Sequence, residues 1–312
     1  MMTRYVLVTA AYNEEKYIEE TIRSVVAQSV TPLRWIISSD GSTDRTEDIV
    51  NAYVAGYSFL RLCHISDEHP RNFAAQVIAI NRGLAHLRDL PYDYVGNLDA
   101  DITLEPDYFA RLLKKFDDDP KLGLGGGSVY ERSGDGKFGP RRGNSAISVA
   151  HGCQLFRREC FEAIGAHYTP LPYGGPDTYA EVTARMNGWR VKSFSDLPVF
   201  HHRATTSAEG MLKGSFRQGR MDYSLGADPG FELLKLLRRV RSKPFLIGSM
   251  ARCAGFIGSY LLREERPVEN EFVYYLRREQ RMRVRNVFRF GGKTATQRQD
   301  SSPYRDDTQS SS

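Results

Sequence analysis

Cysteine is scarce in this chain. Cys63, Cys153, Cys160 and Cys253 are the only four in 312 residues. None forms a CxxC pair and no Cys/His spacing fits a zinc module, which excludes a disulfide scaffold and a structural zinc site. They read as reduced, mostly buried thiols of a cytoplasmic protein. Also missing is a secretory leader: Met1-Met2-Thr3-Arg4 runs straight into a strand-like segment. The chain is therefore expected in the cytoplasm, peripheral at the inner face of the membrane where it meets one. Long apolar runs are few. The most conspicuous, Pro244 to Leu262, is near the minimum spanning length and carries Arg252 in its middle. A central charge is costly in lipid, so a membrane-surface or docking helix over 244–262 is expected rather than a span. Nucleic-acid motifs are absent too, and the basic residues lie mainly after residue 203, so nucleic acid is not an expected partner.

What is present is the balance of a soluble globular chain, 41% hydrophobic and 26% charged, with a mild net charge of +5. The first half alternates short apolar runs with amphipathic segments. Tyr5 to Ala10 reads as a buried strand, and Glu14 to Gln28 as a helix with Ile18, Ile22, Val25 and Val26 at helical spacing. The pattern repeats: strand Leu33 to Ser38, helix Asp44 to Tyr53, strand Leu60 to Ile65, helix Asn72 to Leu87, strand Tyr92 to Leu98, helix Pro106 to Phe116. This order predicts an α/β fold with a parallel sheet covered by helices on both faces. Gly123 to Gly127 and Gly134 to Gly143 read as loops. From Gly292 onward almost nothing is apolar, and 292–312 is expected to be disordered.

Parallel sheets bind ligands at the carboxyl ends of their strands, and polar clusters fall there. Asp99-Ala100-Asp101 ends an apolar strand, where two carboxylates can hold a hard divalent cation together with substrate phosphates. Asp117-Asp118-Asp119 also matches that spacing but sits at a solvated helix end. Asp40, opening Asp-Gly-Ser-Thr-Asp, is either a strand-to-helix turn residue or an acceptor for a base or ribose. Asn13-Glu14-Glu15 opens the first helix; acidic residues there repel phosphate, so a contact would be to sugar or base. Asp177, after Gly174-Gly175-Pro176, is either a helix cap or a general base on a flexible loop. His201 and His202 are either a polar strand edge or a source of one metal ligand.

Taken together these segments resemble glycosyltransferase family 2, with its two-part GT-A fold. The resemblance is carried by AAYNEEKYIEETIRSVVAQS, SSDGSTDRT, HPRNFAAQVIAINRGL, NLDAD, HGCQLFRRECFEAIG and GPDTYAEVTARMNGWRV, over roughly residues 4 to 205. It implies that Tyr12, Glu14 and Asp40 contact the nucleoside of a nucleotide-sugar donor. Asp99 would touch the ribose or the diphosphate. Asp101 would be the main ligand of Mg²⁺ or Mn²⁺, and His201 or His202 a supporting one. Asp177 would be the general base of an inverting transfer to a saccharide or polyprenyl-linked saccharide acceptor. Gly-rich stretches around Gly125 and Gly174 would close over the donor.

Two departures qualify this. Where the family often has Glu-Asp, this chain has Pro176-Asp177, and Phe216-Arg217-Gln218-Gly219-Arg220-Met221 lacks the tryptophan and spacing of processive members. Transfer of a single sugar is therefore expected. The alternatives are a non-catalytic scaffold of a polysaccharide assembly complex, or a nucleotidyltransferase, against which the acidic residues after the first strand count. The implied division is a catalytic domain over 1–205, nucleotide-binding over 1–101 and acceptor-binding over 102–205. A helical extension over 206–291 follows, with the tail from 292 to 312.

Overall fold

Tyr5–Ala11 (β1) has no charged side chain and is almost entirely buried, as the inner strand of a parallel sheet must be. In the computed structural model, which describes residues 3–65, 73–133, 136–141, 143–203, 210–239 and 247–289, it pairs in parallel with β2 (Arg34–Ser39) and β4 (Tyr94–Leu98). A third parallel strand, β3 (Leu60–His64), lies outside β2. The crossovers are α1 (Ile18–Val26), α2 (Thr46–Val54) and α3 (Phe73–Ala85). Helix α1 buries Ile18, Ile22 and Val25, spaced four and three apart, while Glu19 and Glu20 complement its amino-terminal dipole.

The sheet does not stay parallel. It continues β3-β2-β1-β4-β8-β6-β9-β5, with β5 (Ile102–Leu104), β6 (Leu122–Arg132), β8 (Cys153–Arg157) and β9 (Arg190–His201); β7 (Phe138–Pro140) pairs β6. Strand β8 runs antiparallel to both β4 and β6, and β9 runs parallel to β6 and antiparallel to β5. Between β6 and β8 the described chain turns back through the short strand β7 without a crossover helix, and β8 lies antiparallel to β6. Helices α4 (Tyr108–Asp118), α5 (Arg158–Ala163) and α6 (Pro176–Met186) complete this half.

Gly123 to Gly127 is strand, not loop. Its glycines lie inside β6 where neighbours crowd the space a side chain would need: a Cβ on Gly127 would stand 2.1 Å from the Leu197 carbonyl oxygen, and one on Gly123 2.6 Å from Cys160 Sγ. Gly125 is buried there and cannot act as a closing lid.

Among the described residues four further helices follow: α7 (Met211–Ser224), α8 (Pro229–Arg239), α9 (Ile247–Leu261) and α10 (Asn270–Arg289). A small core of Leu171, Val182, Leu225, Phe272 and Leu276 joins the end of α7 and α10 to α6, beside a two-pronged Arg185–Glu279 ion pair. Among the described residues no helix is long and apolar enough to cross a membrane. Arg252 is buried against the protein, paired with Asp222 of α7 and facing Glu232 of α8. The expected disorder of 292–312 concerns residues outside those described, as do Pro244, Arg71 and Asn72.

Candidate functional site

Two loops at the carboxyl ends of β1 and β2 are knitted together. Asn13 takes a left-handed φ of 54°, which frees its side-chain oxygen to accept the Thr43 N–H at 2.8 Å. The Glu14 N–H donates to Thr46 Oγ1 at 2.7 Å, and Asp44 accepts the Glu15 and Thr46 N–H groups. The Ala11-to-Glu15 turn is thus held against the Asp40-to-Thr46 turn, presenting Tyr12, Glu14 and Asp40 on one side.

Asp99-Ala100-Asp101 forms a tight turn between β4 and β5 rather than extended chain, and both carboxylates still face the cleft. The Asp99 N–H donates to the Gly152 carbonyl at 3.0 Å, and a Cβ on Gly152 would strike the Asp99 carboxylate, so that glycine seats the turn. The β5–β9 register sets Ile102 opposite His201, bringing the end of β9 beside Asp101.

The resulting cleft, of about 400 Å³, is lined by Tyr12, Glu14, Asp40, Gln76, Asp99, Asp101, His201 and Arg203, with small alanines between them. His201 Nε2 lies 3.3 Å from one oxygen of Asp101, and Arg203 Nε lies 3.4 Å from the other. Arg203 also grips Glu14 through Nη2 and stacks over the Tyr17 ring. Gln76 Nε2 donates to Asp99 at 3.2 Å.

Electrostatics follow from this crowding. Burial pushes Glu14 up to about 7, against the pull of Arg203 and helped by the charges of Asp101 and Asp99. Asp99 is raised by burial and by Asp101, opposed by His151 and His201. Burial works to lower the His201 ring, but its bond to Asp101 and the charges of Asp101, Asp99 and Glu131 raise it on balance.

A divalent cation suits this donor set. Asp99 and Asp101 supply hard oxygens, and an imidazole at His201 suits Mn²⁺ better than Mg²⁺. Among the described residues no three such side chains already enclose a cation, so ligand oxygens have to complete the shell.

The histidines part company. Successive residues of an extended chain point to opposite sides, and His202 faces away from the cleft, with Nε2 2.9 Å from Thr103 Oγ1 and Nδ1 toward Glu20. Burial holds its ring below the ordinary value. Asp117-Asp118-Asp119 ends α4, where Asp119 pairs with Arg190 on the surface.

Asp177 does not line the cleft. It opens the first turn of α6, its Oδ1 accepting the Thr178 N–H at 2.8 Å. Tyr168 lies within electrostatic reach of both Asp177 and Asp99, and its ring packs edge-on against His151, whose Nδ1 is 4.0 Å from Asp99. One turn beyond Asp177, Glu181 is buried, its Oε1 accepting the Val149 N–H at 2.6 Å and the Ser148 hydroxyl at 3.0 Å.

Sequence reasoning missed Arg203, Gln76 and His151 as neighbours of the carboxylates. For Arg203 a signal existed: it is two residues from His201, hence on the same side of an extended segment. Gln76 and His151 carry no such mark.

The match to known proteins agrees with this architecture. The family model described as glycosyl transferase family 2 matches residues 6–170. The poly-beta-1,6-N-acetyl-D-glucosamine synthase of Staphylococcus aureus strain COL is 32% identical over 114 residues. That match covers 36% of this chain and 26% of the relative, so the chain aligns with about a quarter of that protein's length. Among solved structures, the mannosyltransferase PcManGT from Pyrobaculum calidifontis, in complex with GDP-Man and Mn²⁺, superposes with a TM-score of 0.55 at 15% identity, covering 91% of this chain and 80% of that one. Staphylococcus aureus TarS in complex with UDP-GlcNAc gives a TM-score of 0.51 at 14% identity, covering 88% and 78%. At such identities the superpositions speak to the fold, which is GT-A. Because the family match runs from β1 past α5 and takes in more than half of the residues, the chain belongs to glycosyl transferase family 2.

Proposed function

We propose that this chain transfers a single sugar from a nucleoside-diphosphate sugar to a hydroxyl of a saccharide or polyprenyl-linked saccharide, with inversion at the anomeric carbon. The observation that carries the reading is convergence. Tyr12 and Glu14, Asp40, Gln76, Asp99 and Asp101, and His201 and Arg203 come from five separate stretches of chain to line one cleft at the carboxyl ends of parallel strands.

Charge argues for a cation. Among the described residues lining the cleft, Glu14, Asp40, Asp99 and Asp101 face two basic groups, Arg203 and His201, and a diphosphate is repelled from such an excess of acids. Asp101 would hold Mn²⁺ or Mg²⁺, with Asp99 and His201 in support. Bound there, it would neutralise charge building on the leaving diphosphate. Tyr12, Glu14 and Asp40 take the nucleoside. Asp177 accepts the acceptor's proton through Oδ2, since Oδ1 is engaged by the Thr178 N–H. The names of the relatives, which include UDP-GlcNAc and GDP-Man complexes, support a nucleotide-sugar donor without choosing its base.

Residues 1–205 form the catalytic domain in this reading, and 206–291 a helical extension that meets the membrane surface. An apolar stripe on α9 supports the second part: Ile247, Met250, Ala254, Ile257 and Leu261 recur at helical spacing and are all exposed.

Calorimetric titration of UDP, GDP and dTDP, each with and without Mn²⁺, tests the site. One nucleotide is expected to bind only with metal, to lose binding in Asp101→Ala, and to keep it in Asp177→Asn, which abolishes transfer. Failure of every nucleotide to bind the wild-type chain would sink the reading.

A further inference from the structure

In the cleft described above, the carboxylate assigned to the metal is already paired with an arginine of the chain itself. Arg203 holds Asp101 through Nε and Glu14 through Nη2, two nitrogens of one planar guanidinium. The Tyr17 ring lies under it, its centroid 5.4 Å from the guanidinium carbon. His201 occupies the remaining Asp101 oxygen. Both oxygens of that carboxylate are therefore engaged by the protein's own groups.

We propose that Arg203 is a resident counter-ion of the cleft, which keeps a divalent cation off Asp101 until a nucleoside diphosphate arrives to take the guanidinium over. The argument is one of charge and geometry. A divalent ion at Asp101 and a guanidinium 3.4 Å from the same carboxylate are like charges in a cleft partly shut from water, where screening is weak. One must give way. For metal alone, displacing Arg203 means breaking its pairs with Glu14 and Asp101 and its stacking on Tyr17, with no anion in exchange. A diphosphate supplies that anion, because its oxygens match the guanidinium fork in pairs. Arg203 thus moves from carboxylate to phosphate as the donor enters, and the two ligands bind with positive coupling. Its side chain is 40% exposed, while Asp101 and Glu14 are at 9% and 13%, so the arginine has open space to swing into and the acids are walled in.

The inference rests on the cleft being a nucleotide-sugar site, but its first test needs no nucleotide. Mn²⁺ is titrated into the wild-type chain, Arg203→Gln and Arg203→Lys, following loss of the free-ion electron paramagnetic resonance signal. Arg203→Gln is expected to bind Mn²⁺ alone about tenfold more tightly than wild type, within the usual range of coupling between sites. Arg203→Lys keeps the charge and is expected to stay near wild type, which also separates charge from a folding defect. Repeating the titrations with UDP or GDP should show the metal–nucleotide coupling of Arg203→Gln reduced by a similar factor.

Unchanged or weaker Mn²⁺ binding by Arg203→Gln overturns the proposal, as does Arg203→Lys behaving like Arg203→Gln. If Arg203→Gln tightens Mn²⁺ while no nucleotide binds any variant, the counter-ion stands and the nucleotide-sugar reading falls.

Discussion

At Glu181 a carboxyl is walled in by α6, the Ser148-Val149 segment and Arg185, and burial, helped by Asp177, pushes it up to about 8. In the unfolded chain the same group ionises near its ordinary value of about 4.3. A raised carboxyl gives its full contribution to stability below the unfolded value and loses it as the pH climbs through the folded one. Each tenfold change in proton affinity is worth about 1.4 kcal/mol, so wild type should lose a few kcal/mol between about pH 4.5 and pH 8 through this group alone. Glu181→Gln keeps the oxygen that accepts the Val149 N–H and removes the titration. Denaturant melts across that range should show the variant gaining on wild type as pH rises; parallel curves would mean that Glu181 is ionised throughout. Nothing in the sequence marked this residue, since its burial depends on a loop that folds back from about 30 positions away. Asp40, Asp99 and Asp101 were legible because a strand end is a local feature. His201 and His202 were not separable by residue type, although strand alternation separates them in the fold.

Helices α7 and α9 cross at backbone contact. A Cβ on Gly255 would stand 2.1 Å from the Phe216 carbonyl oxygen, and one on Gly219 would stand 2.0 Å from that of Arg252. Gly255→Ala should force the pair apart and cost about 1–3 kcal/mol, although alanine is intrinsically the better helix former by about 1 kcal/mol. Gly258, one turn along the same helix, has open space where its Cβ would be, so Gly258→Ala should instead stabilise by up to about 1 kcal/mol. Urea unfolding of the two variants reads the difference, and effects of the same sign would refute the close crossing. The apolar run over 244–262 pointed to a helix, found at Ile247–Leu261, but not to what it packs on. The same blindness made Gly123 to Gly127 look like a loop: glycine marks both turns and crowded strands, and only the neighbouring β8 and β9 decide between them.

For the molecule as a whole, the apolar stripe on α9 is the surface feature with most bearing on where the chain works. If it lies on a bilayer, Ile257→Glu with Leu261→Glu should lower co-sedimentation with anionic vesicles at least about tenfold, since each buried aliphatic side chain contributes about 1.5–3 kcal/mol. Metal-dependent nucleotide binding should be unaffected. Vesicle binding equal to wild type would remove the stripe as the contact. The order of strands in the first half could be anticipated from alternating elements and short connections, whereas the mixed second half depends on pairings between distant segments. Those pairings have a mechanical consequence. Five residues of β4, from Tyr94 to Leu98, pair one for one with β8, so the parallel and mixed halves of the sheet share an unbroken ladder of backbone hydrogen bonds. A bending motion between them would have to tear that ladder. Any change of shape is thereby confined to the rim of the sheet, and in the function proposed above the distance from the sugar's anomeric carbon to the helix bearing Asp177 would be set by a rigid plate rather than a joint.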